Sequence, residues 1–187
     1  MANTEELFHR SYREGRRGFV AVDSVTDSVT RGLGFYIYYE FDLPLDTTKY
    51  LVFIPGEVDI HAQNRRVNIV DLDNQLINVK INTFADATVN TLGTDISEKI
   101  INADLNNDNG ILLSFYDDTS DVDVSGAVRL PFSGTISGDR KSVASTYITN
   151  EYILERQEPL VVEFINNSTQ GDVRVEYNSF GYQCECE

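Results

Sequence analysis

The chain has 187 residues, 41% of them hydrophobic and 24% charged, with a formal net charge of -15, which fits one domain with a buried core, and the expectation is no second full domain. No apolar run approaches the roughly 20 residues of a membrane-spanning helix, and MANTEELFHR lacks the apolar core of a secretory signal, so the expectation is a protein made and used without crossing a bilayer. The acidity repels phosphate, which argues against nucleic acid as a partner.

Residues 1–17 read as an N-terminal arm. TEELFHRSYRE is a modest helical candidate with Thr4 as its cap. Residues 1–20 carry four arginines and three glutamates, a net of +1, while the remainder carries 11 basic and 27 acidic residues. A basic head on an acidic body points to a protein partner with an acidic landing site, against the simpler reading of a solvated tail. In this segment Phe8, Tyr12 and Phe19 are apolar anchors, and Arg10, Arg13, Arg16 and Arg17 are partners for carboxylates.

Residues 18–182 read as an all-β domain. GFVAV (18–22) is a first strand candidate. In FYIYYEFDL, Phe35, Ile37, Tyr39, Phe41 and Leu43 alternate with Tyr36, Tyr38, Glu40 and Asp42, the period of a strand with one buried face. Pro44 and LDTT then supply a turn before KYLVFIP, so 35–55 reads as a hairpin. Tyr36 and Tyr38, on the outer face, are left as candidates for ligand contact, whereas the other aromatics are core.

RVNIVDL (66–72) is a further strand, and the same alternation recurs at Ile77, Val79 and Ile81, then at Ile111, Leu113 and Phe115. DISEKI reads as a helical turn. Further strands are GAVRLPF (126–132), TYITNEYIL (146–154), and the alternations at Leu160, Val162, Phe164 and at Val173, Val175, Tyr177. NNDNG, SGDRK and NNSTQGD between them have turn compositions. Eight to ten short strands with polar turns indicate an antiparallel β-sandwich of jelly-roll type. The chain ends in a tail, 183–187, that holds both cysteines, Cys184 and Cys186. A bridge between them would be strained at i, i+2 spacing, which leaves an intersubunit disulfide or two free thiols.

Several patterns imitate functional motifs. DLNNDNG places Asp104, Asn106 and Asp108 like calcium ligands, but Gly110 comes one place late and Phe115 stands where a bidentate glutamate belongs. Asp104, Asp108, Asp117, Asp118, Asp121 and Asp123 form an acidic stretch that reads as a rim that binds a cation or keeps particles soluble, rather than as acid–base pairs. The only histidines are His9 and His61, and no serine sits in a nucleophile elbow. The expectation is therefore no metal, no cofactor and no enzymatic activity. A sugar-binding role would rest on Tyr36 and Tyr38, since the chain has no tryptophan. The overlapping sequons at Asn166 and Asn167 carry meaning only on a secretory route.

Taken in order, RRGFVAVD, YYEFDLPLDTTKYLVFIPGEVD, RVNIVDLD, IINADLNND, LSFYDD and EYILERQEPLVVEFINNSTQGDVRVEYNSFGY resemble a group of small virion proteins of tailed double-stranded DNA phages. The likeness spans about residues 17–182. The glycine-poor middle loop and the CEC tail depart from the group's pattern. The resemblance implies a β-sandwich on the outside of a virion: a capsid decoration protein docking on the major capsid protein, or a component of a tail or fibre that binds host glycans or a receptor. It would be made in the host cytoplasm, and such assembly proteins commonly form symmetric oligomers, a trimer matching local threefold sites.

Overall fold

The computed structural model describes residues 33–72, 76–103, 110–130, 133–138, 144–148 and 152–183. The arm, the GFVAV strand candidate, Asp104 to Asp108 and the tail from Cys184 onward lie outside these residues, while Gln183 ends the last strand. In chain order the strands are β1 (Gly34–Leu43), β2 (Thr48–Pro55), β3 (Ile60–Asp71), β4 (Ile77–Ala85), β5 (Thr88–Thr91) and β6 (Thr94–Asp95). A single 3-10 turn at Ser97–Lys99 occupies the DISEKI segment. There follow β7 (Ile100–Asn102), β8 (Leu113–Asp117), β9 (Ser120–Asp123), β10 (Val128–Arg129), β11 (Gly134–Gly138), β12 (Ala144–Ile148), β13 (Tyr152–Leu154), β14 (Leu160–Asn166) and β15 (Val173–Gln183).

These strands form two main antiparallel sheets, ordered β12-β3-β15-β1-β7, with β13 also on β3, and β10-β4-β14-β2-β8-β6, with β11 also on β4. The pairs β1 with β15, β2 with β14, β3 with β12 and β4 with β11 make one long two-stranded ribbon. Successive pairs of that ribbon fall in alternate sheets, which is the jelly-roll winding expected from the strand pattern. The even-odd alternation sends Phe35, Ile37, Phe41, Leu51, Phe53, Val67, Ile69, Val79, Ile81, Phe115, Val162, Phe164, Val175 and Tyr177 into the shared interior. Phe53 stacks on Phe115 at 4.5 Å, and Phe41 meets Phe164 edge-on at 5.3 Å. The aromatics of 35–43 on that side are core, as their spacing requires.

The hairpin expected for 35–55 is not formed. β1 and β2 belong to opposite sheets, because β1 is paired along its whole length with β15 and β2 with β14. The intervening corner turns the ribbon from one sheet to the other. Asn166, fully buried, ties it: its side-chain amide donates to the Leu43 carbonyl at 2.9 Å and to the Gly171 carbonyl at 3.3 Å, and its Oδ1 accepts from the Ser168 N–H at 3.0 Å. Asp172 accepts from the Leu45 N–H at 3.1 Å. The first of the two sequons is thereby consumed in the corner.

Between β4 and β11 the ribbon is interrupted by a long excursion. It adds β7 to the free side of β1 and β8 to the free side of β2, so both sheets are widened at the edge opposite β12 and β11. The crossing is tight at Gly93, where a Cβ would lie 1.9 Å from the Asp117 carbonyl oxygen. The aspartates of this excursion serve its turns: Asp86, Asp118 and Asp121 hold positive φ, a conformation that Asp tolerates better than most residues. GAVRLPF contributes only the two residues of β10, and TYITNEYIL is represented by the separate strands β12 and β13.

Two cations enter the interior. Arg65, on β3, crosses to the other sheet and donates from Nη1 to Thr83 Oγ1 at 2.7 Å. Burial draws its guanidinium below the usual value, and a hydrogen bond with Tyr177 opposes that shift. Lys49, on β2, lies 2.9 Å from Asp117 Oδ2 and 3.0 Å from Asp118 Oδ1, and 4.8 Å from the Phe41 ring centroid. The Tyr39 hydroxyl donates to the same Asp117 oxygen, and burial, followed by that bond, raises the Tyr39 pKa. Removing one member of a buried pair strands the other, whereas replacing both restores packing. Asp117→Ala takes the acceptor from the Tyr39 hydroxyl and the buried partner from Lys49, which keeps Asp118; it should lower unfolding stability in urea by about 2 kcal/mol, and Lys49→Met, Asp117→Leu and Tyr39→Phe together should recover most of that loss.

Candidate binding surface

The outer faces of the two sheets differ. On the sheet of β2, β4 and β14, the outward residues Val52, Phe84 and Val161 are buried, because the β5–β9 ribbon folds back over them. Val89, Val122, Val124 and Ala127 pack onto these residues and Ala87 as a second, smaller core. The chain covers this face itself.

A carboxylate is held beside that covered patch. Glu163 is only 8% exposed and accepts from the Tyr50 hydroxyl at 3.1 Å and from Asn82 Nδ2 at 2.5 Å. Burial first, and then Glu163, raise the Tyr50 pKa from 10.0 to about 12. This is hydrogen bonding that satisfies a buried acid.

On the other sheet, β1 turns Tyr36, Tyr38, Glu40 and Asp42 outward, as the alternation predicts. Tyr36 is 53% exposed and Tyr38 49%. The register sets Ile101 of β7 on one side of Tyr36 and Phe180 of β15 on the other, and the Tyr36 and Phe180 rings lie 4.8 Å apart. One row toward the start of β1, Tyr182 faces His61, which in turn faces Ile153 of β13. The His61 and Tyr182 rings stack at 4.8 Å, with the Tyr182 hydroxyl 3.2 Å from His61 Nδ1. Ile101 and Ile153 are 52% and 46% exposed. An aromatic and aliphatic row thus crosses the sheet at one end, exposed at Tyr36, Ile101 and Ile153 and buried at Phe180 and Tyr182.

Toward the other end the same face becomes charged. Tyr38 donates to Glu40, Asn68 holds Glu176 at 2.9 Å, and Arg174 meets Asp42 at 2.9 Å.

Of the residues singled out in the sequence, the structure therefore brings Tyr36 and Tyr38 together on an open face. Phe8, Arg10, Tyr12, Arg13, Arg16, Arg17 and Phe19, and likewise Cys184 and Cys186, lie outside the described residues. Ile101, Ile153 and Phe180 escaped sequence reasoning. Ile101 and Ile153 are on three-residue strands too short to show a period, and Phe180 continues the β15 alternation beyond Tyr177, where it could have been followed. His61 faces outward while Asp117 points into the sandwich, so these two do not form an acid–base pair. Among the described residues no group of three His, Cys, Asp or Glu side chains could hold a metal ion, and no helix is long and apolar enough to cross a membrane.

No family model matches the chain, and no curated protein matches it.

The raised Tyr50 pKa has a defined sign. The neutral phenol is favoured in the fold, so its contribution is complete below about 10 and is lost as pH rises toward 12. Tyr50→Phe should cost about 1 kcal/mol at neutral pH. In thermal unfolding from neutral to alkaline pH, the variant should also lose stability less steeply than the parent between pH 10 and 12.

Proposed function

We propose that this protein is a structural component of a phage virion, a capsid decoration protein that docks on a shell of major capsid protein through residues 1–20 and performs no catalysis. The observation that carries this reading is the one-sidedness of the sandwich. One outer face is finished by the chain's own ribbon, while the other presents an exposed cluster of Tyr36, Tyr38 and Ile101, with the exposed Ile153 across the sheet from it. Contiguous apolar surface rimmed by polar groups marks interaction sites. The resemblance of its ordered segments to phage virion proteins suggests the setting, and the net charge of -15 suits a particle exterior better than a nucleic-acid contact.

The arm is the docking element on this reading. Arginine pairs with carboxylates through two parallel hydrogen bonds, and aromatic neighbours add packing once charge has steered the approach. A second reading, a tail or fibre component that binds host glycans, draws on the adjacent exposed rings of Tyr36 and Tyr38.

Loading onto undecorated shells separates these readings. Deleting residues 1–16 should leave the sandwich folded and abolish incorporation. Changing Arg10, Arg13, Arg16 and Arg17 to Gln should weaken loading and flatten its salt dependence, since exposed charges are screened over about 8 Å at physiological ionic strength. A truncated protein that loads as well as the intact one refutes the anchoring role. Free protein that blocks adsorption to host cells would instead favour the fibre reading.

A further inference from the structure

We infer that the aromatic band on the outer face of the β1–β15–β3 sheet is the landing site for residues 1–20 of a second copy of this chain, so that the copies join head to tail. The inference rests on the proposed docking role of residues 1–20 and gives that segment a partner on the protein itself.

The two surfaces match in composition and order. Residues 8–19 interleave Phe8, Tyr12 and Phe19 with Arg10, Arg13, Arg16 and Arg17. The sheet face offers the exposed Ile101 and Tyr36 side by side, with the buried Phe180 ring behind Tyr36. Tyr38 follows on the same strand, with Glu40, Glu176 and Asp42 beyond it. Exposed phenol rings accept arginine over their faces, and Glu40 and Glu176, held by Tyr38 and Asn68, and Asp42, paired with Arg174, keep further lone pairs for its N–H groups. Neither part of this complementarity is available on the opposite sheet, whose apolar outer residues are covered by the β5–β9 ribbon.

The path of the chain agrees with this placement. Leu33, where the described structure begins, accepts at its carbonyl from the Gln183 N–H at 2.9 Å. Leu33 therefore lies at the end of the sheet that carries Tyr36 and Tyr182. The stretch from Phe19 to Leu33 can extend about 45 Å, more than twice the roughly 20 Å width of five paired strands. It can reach past its own sheet to the next copy. An interface made of one copy's arm and another's sheet is heterologous, and such contacts close into rings when the rotation allows. Three copies would give the symmetry proposed for the decoration protein.

The test is made in solution, without shells, by native mass spectrometry and sedimentation. The full-length chain should form a closed oligomer. Tyr36→Ser with Ile101→Ser should weaken association by about a hundredfold, the loss of two interface anchors, and Arg13→Glu, Arg16→Glu and Arg17→Glu together should do the same. Both positions in the band variant are half exposed, so its thermal unfolding should match the parent. Should that variant fail to fold, Tyr38→Lys sets a cation against the arm's arginines and should also dissociate the oligomer.

Mixing the band variant with the arm variant should produce a one-to-one complex, because each retains what the other lacks. A monomeric parent, an oligomer that survives either set of changes, or the absence of a mixed complex overturns the inference. Failure here with arm-dependent shell loading intact would leave the proposed function standing. Loss of arm dependence on shells with the oligomer intact would remove only the shell anchor.

Discussion

The pairing of β1 with β15 is the constraint on which the remaining structure depends. Ten residues at the start of the described chain are matched with ten near its end, from Gly34 opposite Tyr182 to Leu43 opposite Val173. Once that ladder exists, the ribbon must continue into β2 and β14, and the Asn166 side chain holds the bend by binding the Leu43 carbonyl. Closing so long a loop costs entropy before any contact compensates for it, although that cost grows only logarithmically with length. Folds dominated by such distant pairings fold slowly, and here the fully buried Phe115 and Phe164 supply the apolar gain that makes the closure favourable.

The excursion between β4 and β11 decides which surfaces remain open. It widens both sheets, then lays Val89 and Val122 over one outer face. This covering leaves the band around Tyr36 as the contrasting feature of the molecule. Several aspartates that look in the sequence like a functional acidic stretch have local work within the excursion. Asp118 and Asp121 adopt positive φ, Asp123 accepts from the Ser125 N–H at 2.8 Å, and Asp117 anchors Lys49.

Polar groups inside the sandwich add geometric definition to an apolar core that volume alone would specify less sharply. Arg65 links the two sheets through Thr83, and Lys49 links β2 to the end of β8 through Asp117. Such groups are costly to strand and directional when satisfied. The Arg65–Thr83 and Tyr39–Asp117 hydrogen bonds cross from one sheet to the other and fix how the two lie together. The raised pKa values of Tyr39 and Tyr50 follow from this packing: both phenols donate to carboxylates shielded from water.

The sequence by itself determined that the chain is a β-sandwich, because side chains alternate with period two whichever strand is the neighbour. Phe35, Ile37, Phe41, Phe164 and Val175 could be assigned to the core from that period alone, and Tyr36 and Tyr38 to the surface. Tertiary structure alone decided the partners. Pro44 and Asp46 are as compatible with a hairpin as with a corner between sheets, and the choice was made by β15 and β14, more than a hundred residues away. It also decided that the half-exposed Tyr36 has Ile101 and Phe180 beside it, since register across strands depends on hydrogen bonds between segments that no local pattern encodes.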